Sequence, residues 1–155
     1  MKPQAQSDLT VGRRESDVTR VARLLDLDEP DTLNDVQFAR RVSRGFSARS
    51  VTALAAVLGA KRVVGPVVPE ATLRRARKAN KPLSREISER LYEVGRVVDA
   101  VSRAYHGDRE AIEEFLNRPH PLLDGETPFD MARSSSAGAE AVLNLIRRAE
   151  AGVAV

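Results

Sequence analysis

Apolar residues recur along most of this chain at spacings of three and four, and the clearest stripe runs through Ile87, Leu91, Val94, Val98, Val101 and Tyr105. Residues three and four apart share one face of a helix, so the stripe predicts a long helix from Ser84, its N-cap, to about Tyr105. The heptad spacing buries one seam, either within the chain's own core or in part against a second copy. Upstream, Ser16 or Asp17 caps a short helix with Val18, Val21, Ala22, Leu24 and Leu25 inward, and Asp28 to Asp31, with Pro30, breaks it. Three glycine-stopped segments follow: Leu33 to Arg44 before Gly45, Ser47 to Leu58 before Gly59, and a short turn from Lys61 to Val64 before Gly65. Met1 to about Arg14 has no periodicity and reads as an N-terminal arm without an assigned role.

The last third of the chain is punctuated by caps and prolines. Asp108 caps a helix with Ala111, Ile112, Phe115 and Leu116 on one face, and Pro119 ends it because its ring cannot continue a helical turn. Pro121 extends the chain and Asp124-Gly125 is a turn dipeptide. Thr127, Pro128 and Asp130 read as N-cap, first-turn proline and the acid of a variant capping box. The serines at 134–136 offer a cap for a final helix carrying Ala139, Val142, Leu143, Ile146 and Ala149, which stops at Gly152. There is no run of alternating apolar and polar residues of the kind a strand needs, so the expected fold is all-α.

Composition narrows the class. At 155 residues and 42% apolar content, with no apolar window long enough to span a bilayer, the chain has material for one core or two small ones. The absence of cysteine removes disulfides and thiolate chemistry, and the start MKPQAQSDLT lacks a signal-peptide apolar core; a cytoplasmic location is the expectation. The net charge of +3 is unevenly placed. Residues 61–90 hold nine basic and three acidic groups, while residues 91–155 hold seven and eleven. The first block suits phosphate contacts, since each neutralised phosphate releases counterions. The second does not.

Within the basic block, Pro66 and Pro69 bracket an extended Val67-Val68, and a helix reading EATLRRARKAN follows with Leu73 and Ala76 as its apolar contacts. A short helix, a glycine turn and a basic helix is the arrangement a helix-turn-helix uses to reach the major groove. Thr72, Arg74, Arg75 and Arg77 are the candidates for base edges, with Lys78 and Lys81 on phosphates. A solvated outer face is the competing reading of the same charges. Elsewhere little chemistry can be assembled. His106 and His120 sit in or beside turns without a second ligand at metal spacing, and Glu110, Glu113 and Glu114 have no basic partner or concave site that would make an acid/base pair. No phosphate loop or nucleophile elbow occurs. The chain reads as non-enzymatic, with no metal and no cofactor.

The combined spacing of Phe115, Leu116, Pro119, Pro121, Leu123, Gly125, Thr127, Pro128, Gly138, Val142, Leu143, Glu150, Gly152 and Val153 resembles the toxin-binding domain of the Xre/MbcA/ParS-like antitoxins. The likeness covers about residues 41–155 and is strongest from Leu83 onward. Family members commonly place a helix-turn-helix before the toxin-binding domain and carry an arginine-rich helix followed by a short loop and a Leu-Ser pair, here Leu83-Ser84. Two departures stand out: Ala71 precedes Thr72-Leu73 where the family often has arginine, and His120 lies where asparagine is more usual.

The resemblance implies an Xre-like bundle in three parts: an arm and appended helix at 1–32, a helix-turn-helix domain at 33–82, and a toxin-binding domain at 83–155. It implies an antitoxin whose cognate partner is a toxin with a RES domain, which consumes NAD. The C-terminal helix and tail would block that toxin's active-site mouth through Arg147, Arg148, Glu150, Gly152, Val153, Ala154 and Val155. Operator DNA is the second implied partner, in a homodimer or a toxin-antitoxin hetero-oligomer, with no membrane. A stand-alone regulator whose C-terminal domain only dimerises, or a helical adaptor for another protein, would fit the residues without the resemblance.

Overall fold

The computed structural model of the chain describes residues 15–152, which fold as nine α-helices with no strand among them. They are α1 (Asp17–Leu24), α2 (Asp35–Arg44), α3 (Arg49–Leu58), α4 (Ala60–Val63), α5 (Glu70–Ala79), α6 (Arg85–Ala104), α7 (Arg109–Asn117), α8 (Pro128–Ser134) and α9 (Ser136–Glu150). Single 3₁₀ turns lie at Pro30–Thr32 and Pro121–Leu123. The expected all-α fold is the observed one. Arm residues 1–14 and tail residues Val153, Ala154 and Val155 lie outside the described residues.

The long stripe on α6 explains the architecture. Ile87, Leu91, Val94, Val97, Val98 and Val101 are all buried, and α6 lies against α1, α2, α3, α7, α8 and α9. The buried face is wider than the heptad seam because Val97 and Gly95 join it, as a central helix packed from several sides requires. Its seam is therefore filled by the chain itself. Tyr105 leaves the seam: it caps the helix, stays about two-fifths exposed and sets its ring 5.9 Å from that of Phe115. One continuous apolar cluster runs from Val21 on α1 to Ile146 on α9, so the parts on either side of residue 82 share α6 and its core.

Local signals account for most helix ends. Ser16, Ser84, Asp108, Thr127 and Ser135 each accept a backbone N–H of the following turn. Asn34 and Gln37 form a reciprocal capping box, which starts α2 two residues later than the apolar pattern alone indicates. α3 likewise begins at Arg49, because the Ser47 hydroxyl accepts the Arg49 N–H and the preceding residues form a turn. At α8 the expected capping box is only half made: Thr127 accepts the Asp130 N–H, but the Asp130 carboxylate takes Arg133 Nε at 2.9 Å.

The crossing of α2 into α3 over the start of α6 is tight. Leu83 N–H donates to Phe46 O at 2.8 Å, and Phe46 N–H donates to the buried Ser88 hydroxyl, also at 2.8 Å. A Cβ on Gly45 would stand 1.9 Å from Leu83 O, and its φ of +92° already disfavours any side chain. The other buried hydroxyl, Ser50, donates to Leu25 O at 2.6 Å and ties α3 to the end of α1. Buried polar groups thus close the seams that the apolar residues leave.

Candidate functional site

α5 stands at the edge of the bundle, anchored by one buried side chain, Leu73, with Thr72 and Ala76 half-buried beside it. Glu70 occupies its first turn, favourable to the helix dipole, and Asn80 ends it in the left-handed region. There Asn80 N–H bonds Arg77 O and Lys81 N–H bonds Ala76 O, a Schellman closure followed by Pro82. Lys81 therefore lies beyond the helix.

On a helical wheel Ala71, Arg74, Arg75 and Lys78 fall at i, i+3, i+4 and i+7, on the side opposite Leu73. All four are exposed. Arg74 pairs with Glu70 at 3.7 Å, but both side chains are nearly three-quarters exposed, so the pair is weak and easily exchanged for another anion. Arg75 and Lys78 make no ion pair among the described residues. Of the remaining predicted residues, Arg77 turns toward the body and donates Nη2 to the Thr52 hydroxyl of α3 at 3.0 Å. Arg77 and Lys81 line a cleft of about 540 Å³ with Arg41, Arg49 and Asn80. The structure thus gathers Arg74, Arg75 and Lys78 on one outward stripe and sets Thr72, Arg77 and Lys81 to its sides. Arg41 and Arg49 were not legible as neighbours of this surface, since they lie on other helices and only the fold brings them to the cleft.

The second candidate surface is the outer side of α9. Val142, Leu143, Leu145 and Ile146 face the core, whereas Arg147, Arg148, Ala149, Glu150 and Gly152 are exposed. Ala149, expected on the apolar face, instead lines a cleft of about 310 Å³ with Tyr105, Phe115, His120 and Leu145. His120 accepts Leu122 N–H on its Nδ1 at 3.1 Å and caps the 3₁₀ turn, so it is a turn residue. Arg147 is already engaged: its Nη1 donates to Glu140 Oε1 at 2.9 Å and to Asn144 Oδ1 at 2.8 Å. Glu140 also accepts Arg96 Nη2 of α6 at 3.3 Å, and Arg96 bonds Glu93. Sequence reading did not find this chain of charges, because its members are scattered over two helices.

The hydrogen bond from Arg147 holds the Glu140 carboxyl below its ordinary value, against the opposing effect of burial and with help from the charges of Arg147 and Arg96. A carboxyl whose folded value is depressed stabilises the fold above its ordinary range and loses that contribution as pH falls through the folded value. The thermal midpoint of the wild type should therefore exceed that of Glu140→Gln at neutral pH. The gap should close on acidification below the carboxylate range, as calorimetry in steps of pH would read. A constant gap would mean that the contacts are those of shape and not of charge.

Residues 102–152, from the last turn of α6 through α9, match the family described as the antitoxin Xre/MbcA/ParS C-terminal toxin-binding domain. This is the family that the spacing of prolines and glycines resembles. No curated protein matches the chain.

Proposed function

We propose, from the toxin-binding domain matched at residues 102–152, that this protein is the antitoxin of a two-gene toxin-antitoxin module. It acts by binding and carries no reaction of its own. The partner is a RES-domain toxin that consumes NAD, and neutralisation is steric. A preformed α9 presents Arg147, Arg148, Glu150 and Gly152, and the tail Val153, Ala154 and Val155 continues from it into the nucleotide pocket. A helix that is already ordered loses little entropy on binding. The anchoring of α9 through Val142, Leu143, Leu145 and Ile146 supports this reading, because it leaves Arg147, Arg148, Glu150 and Gly152 exposed on a rigid base.

The same chain represses its own operon through α5. The exposed stripe of Arg74, Arg75 and Lys78 supports a helix laid into the major groove, with Thr72, Arg77 and Lys81 along its edges. The DNA-reading part spans 33–82 and the toxin-binding part 83–155, with an arm and appended helix before them. Since the seam of α6 is filled within the chain, a homodimer or hetero-oligomer would use other surfaces.

Co-expression with the product of the adjacent gene tests the first role, with growth and cellular NAD as readouts. The full chain should rescue growth and a chain truncated after Arg148 should not. Rescue by both would move the inhibitory surface away from the C-terminal end, and absence of toxicity or complex would favour a stand-alone DNA-binding regulator.

A further inference from the structure

Arg147 of α9 commits one nitrogen and keeps one edge free. Its Nη1 carries two N–H donors, and both have acceptors, Glu140 Oε1 at 2.9 Å and Asn144 Oδ1 at 2.8 Å. A guanidinium presents five donors in a fixed plane, so Nε and Nη2 still hold three. Neither nitrogen has an acceptor among the described residues, and the side chain is more than half exposed. Nε and Nη2 form the fork that meets the two oxygens of a carboxylate side by side.

The hold on Nη1 reaches the central helix. Glu140 also accepts Arg96 Nη2 at 3.3 Å, and Arg96 is fixed on α6 by Glu93 at 3.1 Å and by the face of Tyr92, whose ring centroid lies 5.5 Å away. Arg147 is thus oriented against α6 as well as along its own helix. A long arginine side chain usually gives up its rotamer freedom when it binds, and here much of that loss is already taken in the fold. Because Glu140 is shared between two arginines, it neutralises Arg147 only in part.

Size and charge select the ligand. Where α1, α6 and α9 meet, Arg147 lines a cleft of about 110 Å³ with Asp17, Asp99, Arg103 and Glu150. That is well below the roughly 300 Å³ at which pockets for small molecules begin, and suits the end of one side chain. Asp99 accepts Arg20 Nε on both oxygens, at 3.1 and 3.2 Å, and Asp17 pairs with Arg20 and with Arg103, the latter at 3.7 Å. Glu150 is exposed beside them. A doubly charged phosphate would face Glu140 and Glu150 with one fork to hold it, whereas a carboxylate brings one charge and the matching pair of oxygens.

We propose that Arg147 is a pre-oriented carboxylate fork, with Glu140 and Asn144 as its positioning residues, which takes the side chain of one aspartate or glutamate of the toxin and so selects the cognate partner. The inference rests on the antitoxin reading and on α9 as the helix that faces the toxin.

The test measures the affinity of the full chain for the purified product of the adjacent gene, by calorimetry at one moderate salt concentration. Arg147→Lys keeps the charge but loses the fork and should weaken binding by about tenfold, the scale of one charge-assisted hydrogen bond. Arg147→Met should lose at least as much. Asn144→Ala and Glu140→Gln should each cost about threefold by freeing the side chain, and nothing further when either is combined with Arg147→Met. Alanine favours the helix at the exposed position 144, so Asn144→Ala keeps the positioning role readable even where Glu140→Gln lowers stability. Arg85→Met, in the first turn of α6 and paired with Glu89, should bind as the wild type does. On the toxin, one Asp→Asn or Glu→Gln change should match the loss seen with Arg147→Met and add nothing to it. If the wild type binds the toxin, three results each overturn the fork while the antitoxin reading stands: Arg147→Lys equal to the wild type, no toxin carboxylate coupled to Arg147, or positioning changes that still cost affinity beside Arg147→Met. A wild type that binds no toxin removes the antitoxin reading and the fork together.

Discussion

Replacing Arg74, Arg75 and Lys78 together by alanine is expected to lower affinity for the upstream DNA by about a hundredfold or more at moderate salt, and to flatten its salt dependence. The stripe lies opposite Leu73, so the three changes remove no buried contact, and among the described residues the only ion pair lost is the exposed one between Arg74 and Glu70. An arginine on a base edge contributes roughly 1–3 kcal/mol, and each phosphate contact removed reduces the salt slope by about one. Alanine is also the better helix former, so α5 itself should not weaken. A variant with Arg77→Ala alone should lose less, because Arg77 is spent on Thr52 and works by holding α5 to α3. Equal affinity and equal salt slope in the triple variant and the wild type would return this helix to the solvated-face reading. Normal rescue of growth by the triple variant would at the same time show that the two surfaces are separable.

That α5 is a helix, and that it ends near Asn80, could be read from EATLRRARKAN, since its termination needs only an asparagine able to take a left-handed conformation and a proline after it. Which arginines face outward could be partly read too, because helical spacing places 71, 74, 75 and 78 together. What the chain does not announce is the neighbour that fixes the rotation of the helix. Thr52 lies 25 residues before Arg77, and Arg133, which donates to Pro66 O in the turn before α5, lies 67 residues after Pro66, so neither contact has a local signal. The same limit applies to α9. Its apolar face was legible down to Ile146, but the departure of Ala149 into a surface cleft depends on where α7 places Phe115. The heptad on α6 could not distinguish a seam filled internally from one shared with a second copy, because the same side chains serve either. Val97 and Gly95, outside the heptad, are the positions that reveal packing from several sides.

The α8–α9 corner gives the largest expected effect on the fold itself. Gly138 sits in the first turn of α9, and a Cβ there would stand 2.1 Å from Met131 O and 2.8 Å from the Ser134 hydroxyl. The hydroxyl can rotate away, but the carbonyl belongs to the last turns of α8 and moves only with that helix. Relief therefore means separating α8 from α9 by about an ångström, which opens the packing of the buried Phe129, Ala132, Ala139 and Val142. Glycine to alanine in a helix would otherwise be favourable by up to ~1 kcal/mol, and the overpacking has to exceed that gain. A net loss of about 2–3 kcal/mol is expected for Gly138→Ala, with each ~1 kcal/mol lowering the thermal midpoint by about 2–4 °C in a chain of this size. Gly95→Ala in α6 provides the opposite sign. Its Cβ would meet Val21 at 3.4 Å and Leu25 at 3.6 Å, ordinary contact distances, so the helix-forming gain remains and the midpoint should hold or rise. Because α9 also carries the proposed inhibitory end, Gly138→Ala should impair growth rescue at temperatures where Gly95→Ala does not. Parallel melting curves for the two variants decide the matter: a Gly138→Ala protein as stable as the wild type would mean that α8 and α9 lie further apart than their contacts here require.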